Sequence, residues 1–228
     1  RTHFCSNVWK VAAALFIGAC CIWAWQQWEF ETVESSQVAL ETPVEYIEKR
    51  TAVGTKSSLK LPDGTRVTLN SESKLTLPET FDKKSRRVYL EGEAFFEVAE
   101  DTARPFTIVS GNVAATVLGT SFNVMAYPDE EEVEIALVTG RVRVDNIEKN
   151  QSEQVFPPVY LEPSERFTFI KKSGSVQKDK FDPAMRVAWK DGWLIFKNKP
   201  FNEVKNTLER WYGVTFEVEK MPRQVDGF

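Results

Sequence analysis

Apolar and polar residues alternate along most of the chain between about residue 49 and residue 181. Successive side chains of a β-strand point to opposite faces, so this alternation predicts strands that are each buried on one face. Turn-forming residues separate the apolar runs at roughly even spacing, and no amphipathic pattern of helical period interrupts them. We therefore predict an all-β unit over residues 49–181, either a sandwich or a solenoid-like stack, since both show the same alternation.

The clearest turn lies in the string SSLKLPDGTRVTL, where alternating apolar runs flank Pro62-Asp63-Gly64. Proline presets the backbone angle φ that a turn requires, and glycine accepts a positive φ. The string therefore predicts a β-hairpin.

The longest predicted strand covers Arg87–Val98. One face would carry an apolar set, Val88, Leu90, Gly92, Ala94, Phe96 and Val98, and the other Tyr89, Glu91, Glu93, Phe95 and Glu97. We expect the apolar face to lie in the core and the glutamates to form a solvated face.

Glu91 and Glu93 could also be interpreted as a catalytic pair. Their Cα atoms would lie about 6.6 Å apart on a strand, a separation that overlaps the carboxyl spacing of inverting glycosidases. Every i, i+2 pair on a strand shows this spacing, so the solvated face is the preferred interpretation. The alternative function is a membrane-anchored periplasmic hydrolase or carbohydrate-binding module that uses the Glu91/Glu93 face.

The pattern changes at Asp182-Pro183. A short strand is predicted at Trp193–Lys197, a helix at Phe201–Trp211 and a second strand at Val214–Glu219. Such a βαβ unit is too small to bury a full core, so we expect residues 182–228 to be an incomplete α+β domain.

The predicted helix has one apolar face, and its end is marked by a glycine. Phe201, Val204, Leu208 and Trp211 recur at helical spacing, and Gly213 follows where a helix commonly stops. Core packing in this domain is the expected role of Trp189, Trp193 and Trp211.

The most apolar stretch is Val11–Trp28, VAAALFIGACCIWAWQQW, which has no charged residue. As a helix it would span about 27 Å, close to the hydrocarbon thickness of a bilayer. Tryptophans crowd its C-terminal end, basic residues precede it and glutamates follow it. This pattern predicts a single transmembrane helix with a cytoplasmic stub (residues 1–10) on one side and an acidic tether (residues 29–48) outside the cytoplasm on the other. A cleaved leader and a buried core helix are the alternatives.

Composition excludes several kinds of chemistry. The 228 residues include 29 basic and 33 acidic side chains, so no one-sided basic charge predicts binding to nucleic acid. The only histidine, His3, and the three cysteines, Cys5, Cys20 and Cys21, lie within the first 21 residues. The remaining chain therefore has no Ser-His or Cys-His nucleophile pair and no Cys/His zinc site. We expect no enzyme activity, no cofactor and no metal.

Two further motifs have structural interpretations. The acidic run Asp129–Glu132 lacks the ligand alternation and turn glycine of a calcium loop, and is predicted to be a solvated loop tip. Gly119 and Gly140 stand alone, without the spacing of a phosphate-binding loop, and are typical of turns or bulges.

Three strings, in order from about Gly54 to Val144, resemble the FecR family of transmembrane anti-sigma factors. They are LKLPDGTRVTLNSESKLTLPETF, RRVYLEGEAFFEVAEDTARPFTI and VLGTSFNVMAYPDEEEVEIALVTGRVRV. The later string AWKDGWLIFKNKPFNEVKNTLERWYGVTFEVE, Ala188–Glu219, is similar to the C-terminal domain of these proteins. That domain resembles the short signalling domain of secretins and TonB-dependent receptors.

The resemblance implies a signal relay in the inner membrane of a Gram-negative bacterium. The family's cytoplasmic N-terminal domain binds an extracytoplasmic-function (ECF) sigma factor. Its periplasmic part receives the signalling domain of an outer-membrane TonB-dependent transporter, and regulated proteolysis commonly accompanies release of the sigma factor. The sigma-binding helices are absent from this chain, so we expect them to precede Arg1.

A relay needs a surface for its partner. The strand Trp193–Lys197 could accept a partner strand by β-augmentation, and the following helix offers a second surface. The candidate contact residues are Trp193, Ile195, Lys197, Glu203 and Arg210.

Overall fold

The computed structural model describes residues 18, 20, 22 and 23, residues 45–147 and residues 156–219. The four isolated positions are helical and belong to a unit spanning Arg1–Pro43, while Val44–Phe228 form a second unit. The rest of the predicted membrane segment Val11–Trp28, and residues 29–44 of the predicted tether, lie outside the described residues. In the part of the chain that is described, no helix is both long and apolar enough to cross a bilayer.

Among the described residues of the second unit, thirteen strands join in one sheet. They are β1 (Tyr46–Arg50), β2 (Ser57–Lys60), β3 (Arg66–Leu69), β4 (Lys74–Pro78), β5 (Arg86–Glu97), β6 (Phe106–Ser110), β7 (Val113–Val117), β8 (Ser121–Ala126), β9 (Glu132–Thr139), β10 (Val142–Asn146), β11 (Val159–Leu161), β12 (Glu165–Ile170) and β13 (Ser175–Lys180). The strand β1 begins at Tyr46, inside the stretch predicted as a tether.

The long strand β5 joins two half-sheets. Its first half pairs with β4 and β6, within the order β1-β4-β5-β6-β7-β10-β11. Its second half pairs with β3 and β8, within the order β2-β3-β5-β8-β9-β12-β13. Only the β5–β6 pairing is parallel among the pairings described. Gly92, with φ of 104°, stands where β5 passes from one half-sheet to the other.

The two half-sheets curl over one hydrophobic core. Phe96 of the second half-sheet lies against both Phe122 and Phe106, with ring centroids 5.5 and 6.2 Å apart. Val88 and Leu75 of the first half-sheet belong to the same cluster, as does Phe169 of the second. The β unit is therefore a curled sheet with one shared core, as the alternation of an all-β unit predicted.

The predicted hairpin and the predicted long strand are confirmed. Strands β2 and β3 pair around Pro62-Asp63-Gly64, and Gly64 has φ of 91°. Arg86, completely buried, donates from Nη1 to Asp63 Oδ2 at 2.8 Å. This ion pair fixes the hairpin turn against the start of β5.

The C-terminal segment, defined here as residues 182–219, carries two helices and a 3₁₀ turn. Helix α1 covers Pro183–Arg186, the 3₁₀ turn Ala188–Asp191, and helix α2 Phe201–Tyr212. As predicted, α2 ends at a left-handed glycine, Gly213.

The strands predicted at Trp193–Lys197 and Val214–Glu219 are wrong. Neither stretch forms a β-ladder in the described structure. A strand exists only where a neighbouring backbone completes its hydrogen bonds, and no described strand pairs with either stretch. The described C-terminal segment is therefore helical and irregular rather than βαβ.

Candidate functional site

The polar face of β5 is not solvated at Glu93, contrary to the prediction. Glu93 is only 6% exposed because the C-terminal segment packs over this part of the second half-sheet. Its Oε2 accepts a hydrogen bond from Asn70 Nδ2 and its Oε1 one from Asn123 Nδ2, each at 2.8 Å. Phe95, on the same face, is likewise 6% exposed. Alternation therefore predicted correctly that Glu93 points away from the core. The C-terminal segment, about ninety residues later in the chain, covers it.

Arg186, the last residue of α1, supplies the positive charge beside Glu93. Its Nη1 lies 3.4 Å from Glu93 Oε1, and its Nε donates to the carboxylate of Glu134. Burial lowers the pKa of Arg186, but the charges of Glu134 and Glu93 outweigh burial and leave that pKa raised. A buried carboxylate is stable only with hydrogen bonds and a counter-charge, and this site provides both.

Trp189 anchors the 3₁₀ turn beside this cluster. Its side chain is 4% exposed, and its Nε1 donates to Asn123 Oδ1 at 3.1 Å. Asn123 thus connects the tryptophan to Glu93. From the other side, Lys56 Nζ donates to the carbonyl oxygen of Trp189 at 2.9 Å and lies 4.0 Å from the ring centroid of Trp211. Burial lowers the pKa of Lys56.

Helix α2 docks through Arg210. The guanidinium donates from Nη2 to Asp129 Oδ2 at 2.5 Å and from Nη1 to Glu130 Oε1 at 2.7 Å. It also lies 4.1 Å from the ring centroid of Tyr127. Burial lowers the pKa of Arg210, but hydrogen bonding and charge from Glu130 and Asp129 outweigh it and leave the pKa raised. The acidic loop was predicted to be solvated, but two of its residues, Asp129 and Glu130, bind Arg210.

A cavity of about 110 Å³ lies between α2, the stretch after the 3₁₀ turn, and the sheet. Four of the five predicted contact residues line it: Trp193, Ile195, Glu203 and Arg210. The fifth, Lys197, is exposed and lies outside the lining.

The contact residues differ in exposure. Trp193, predicted to pack in a core, is 69% exposed, because no described strand builds a sheet over it. Arg210 is 9% exposed, and its side chain is bound within the chain.

The suggested pair Glu91 and Glu93 is divided between two environments. Glu91 is exposed and forms an ion pair with Lys74 at 2.5 Å, whereas both oxygens of Glu93 accept hydrogen bonds from buried amides. Among the described residues, no three His, Cys, Asp or Glu side chains are grouped as a metal site. The geometry serves to hold the C-terminal segment on the sheet.

Asn70, Asn123 and Arg186 were not singled out from the sequence, and Trp189 was predicted only to pack in a core, without its polar partner. An asparagine within the β-run, such as Asn123 in SFNVMA, is the one local signal, since asparagine is depleted in strands. Its partners Glu93 and Trp189 lie 30 and 66 positions away, so no spacing rule connects them.

Two family models match the chain. The one described as "FecR protein" covers residues 48–143, and the one described as "FecR, C-terminal" covers residues 193–225. Among curated proteins, none matches.

Solved structures show the same relationship. Two crystal structures of a "putative anti-sigma factor" from Parabacteroides distasonis ATCC 8503 superpose with TM-scores of 0.68 and 0.67. The first is 32% identical over 74% of this chain and 76% of the solved chain. The second is 33% identical over 73% and 75%. This chain is therefore a member of the FecR family of anti-sigma factors.

Proposed function

We propose that this anti-sigma factor relays a signal from an outer-membrane TonB-dependent transporter to an ECF sigma factor. Val11–Trp28 would hold it in the inner membrane, with Arg1 on the cytoplasmic side and the β-sheet unit in the periplasm. The sigma factor would be bound on the cytoplasmic side of the membrane, and regulated proteolysis would release it. Family membership and the charge pattern around the apolar segment support this topology.

The observation that carries the proposal is an apolar stripe on the C-terminal segment. Trp193 is 69% exposed, Ile195 47%, Val214 46% and Phe216 41%. Two of these residues precede α2 in the chain and two follow it, and in each stretch the two are separated by one residue. Exposed apolar patches of this kind mark protein interaction sites, and alternation suits an added partner strand. We propose that the transporter's signalling domain binds to these residues and adds a strand beside them by β-augmentation.

Isothermal titration tests the partner. The full chain in detergent would be titrated with the signalling domain of the transporter encoded beside it. Ile195→Asp should weaken binding by about thirtyfold, the effect of losing a typical interface hot spot. Tyr160→Asp is the matched control, because Tyr160 is 56% exposed on β11, the outermost strand of the first half-sheet, and does not line the cavity beside Trp193 and Ile195. Absence of heat with the unaltered chain, and of any NMR shift on mixing, would count against the relay.

The anchor has its own test. Intact-mass measurement of the protein from native membranes should find Val11–Trp28 retained, and alkaline carbonate washing should leave the protein in the membrane fraction. A mature mass lacking the first 28 residues would show a cleaved leader instead.

A further inference from the structure

The C-terminal segment is held on the sheet mainly by charged groups. The hydrophobic core of the β unit, as far as the described residues show, takes no member from residues 182–219. Within that described segment, the only buried side chains are Trp189 and Arg210. One indole and a set of ion pairs thus replace the apolar interface that usually joins two parts of a domain.

Helix α2 turns its polar side toward the sheet. Glu203, Thr207 and Arg210 line the cavity that α2 shares with Glu130 of the acidic loop. The apolar side is poorly covered, since Phe201 is 44% exposed and the predicted core positions Val204 and Leu208 are only half-buried. A helix that belongs permanently to a core buries its apolar stripe, and α2 does not.

Three cations form what we name the clamp: Arg186, Arg210 and Lys56. Arg186 and Arg210 extend from the C-terminal segment to carboxylates of the sheet unit, and Lys56 extends from the sheet unit to the C-terminal segment. Ion pairs of this kind gain little net free energy, because removing charges from water offsets much of their attraction. The side chain of Asp129 is 64% exposed, so its pairing with Arg210 is also screened by salt.

We propose that residues 182–219 are a detachable arm, which the clamp docks on the sheet and which releases as a unit while the sheet stays folded. Release uncovers the polar side of α2 together with the Glu93 face of β5. A partner that binds either surface would shift the population toward the open arm. The inference does not depend on the relay proposed above.

Hydrogen exchange on the full chain in detergent tests the arm. Once released, α2 has only twelve residues, too few for a stable helix in water, so its amides should exchange in the open state. Arg210→Met should therefore speed exchange in α2 at least about tenfold, while amides of β8 and β9 change less than about twofold. Lys205→Met is the matched control, because Lys205 pairs only with Glu209 of the same helix among the ion pairs described.

Salt provides an independent measurement. Raising NaCl from about 0.1 M to about 1 M shortens the Debye length from about 10 Å to about 3 Å. Exchange in α2 should accelerate in the unaltered chain, and much less in Arg210→Met.

The results separate the possibilities. Equal acceleration of α2, β8 and β9 would show that arm and sheet unfold together, and would overturn the proposal. So would equal exchange in Arg210→Met and Lys205→Met. If Arg210→Met does not fold, Glu130→Gln removes the same ion pair from the sheet side, and the same pattern of exchange is expected.

Discussion

Replacing Glu93 by glutamine removes the charge at the centre of the docking site without changing the shape of the side chain. In the native protein both carboxylate oxygens accept hydrogen bonds from amide nitrogens, of Asn70 and Asn123, at 2.8 Å. Glutamine offers one oxygen and one nitrogen. Whichever way the new amide is turned, its nitrogen faces an asparagine nitrogen, and two donors then oppose each other.

The size of the effect follows from these contacts. Losing a hydrogen bond to a charged acceptor costs about 1.5–3 kcal/mol, and a buried donor left without an acceptor costs about 1–3 kcal/mol. Arg186 keeps its bond to Glu134, which limits the loss. We expect Glu93→Gln to lower the free energy of unfolding by about 3 kcal/mol. For a unit of this size, that lowers Tm by about 6–12 °C.

Thermal unfolding followed by circular dichroism measures the change, with Glu91→Gln as the matched control. Glu91 is on the same strand, but its side chain is 57% exposed and pairs only with Lys74 among the ion pairs described, so its substitution should cost less than about 1 kcal/mol. Asn70→Asp should rescue Glu93→Gln, because a carboxylate at position 70 accepts from the new amide nitrogen and restores the charge. A double-mutant cycle gives the coupling.

An unchanged Tm in Glu93→Gln would refute this reasoning, as would failure of Asn70→Asp to restore stability in the double variant. The same experiment addresses the alternative function. A hydrolase using Glu93 would lose activity at unchanged Tm, whereas a docking carboxylate loses stability.

Two further predictions concern β5 and the acidic loop. Gly92→Ala should cost about 3 kcal/mol or more, since the new Cβ would lie 2.4 Å from Ser73 Oγ and Gly92 has positive φ. Gly111→Ala, at positive φ with open space around it, should cost about 1 kcal/mol, and urea unfolding of both variants measures the two costs. Burial and then the charge of Glu203 raise the pKa of Glu132, so the folded state binds a proton more tightly than the unfolded state and loses stability as pH rises above about 4.3. Glu132→Gln should therefore raise the free energy of unfolding at pH 7 by less than about 1 kcal/mol, because the carboxyl is partly solvated, and Tm should rise with it. The gain should vanish near pH 4, and an equal gain in Tm at both pH values would contradict this origin.

The fold of the β unit was largely predictable because its signals are local. The hairpin at Pro62-Asp63-Gly64 depends on turn residues adjacent to the strands they join. The core face of β5 depends on alternation within one strand. The glycine stop of α2 at Gly213 is likewise a local rule.

The docking site was not predictable from such rules. Glu93 obeys alternation and points away from the core, yet it is buried because α1 and the 3₁₀ turn pack over it. Arg210 lies on a helix whose apolar spacing predicted that the opposite side would be buried. Its partners Asp129 and Glu130 are about eighty positions away in the chain, and long-range pairing of charges has no sequence period.

The strand β5 connects the core to the C-terminal segment through its two faces. Phe96 and Leu90 point inward and hold the half-sheets together, while Glu93 points outward and forms an ion pair with Arg186. Movement of the C-terminal segment therefore alters hydrogen bonding on the one strand that both half-sheets share. If the arm releases as proposed, a partner that binds the arm also changes the hydrogen bonds of Glu93 on β5. Binding at the arm then affects the sheet without any catalytic step.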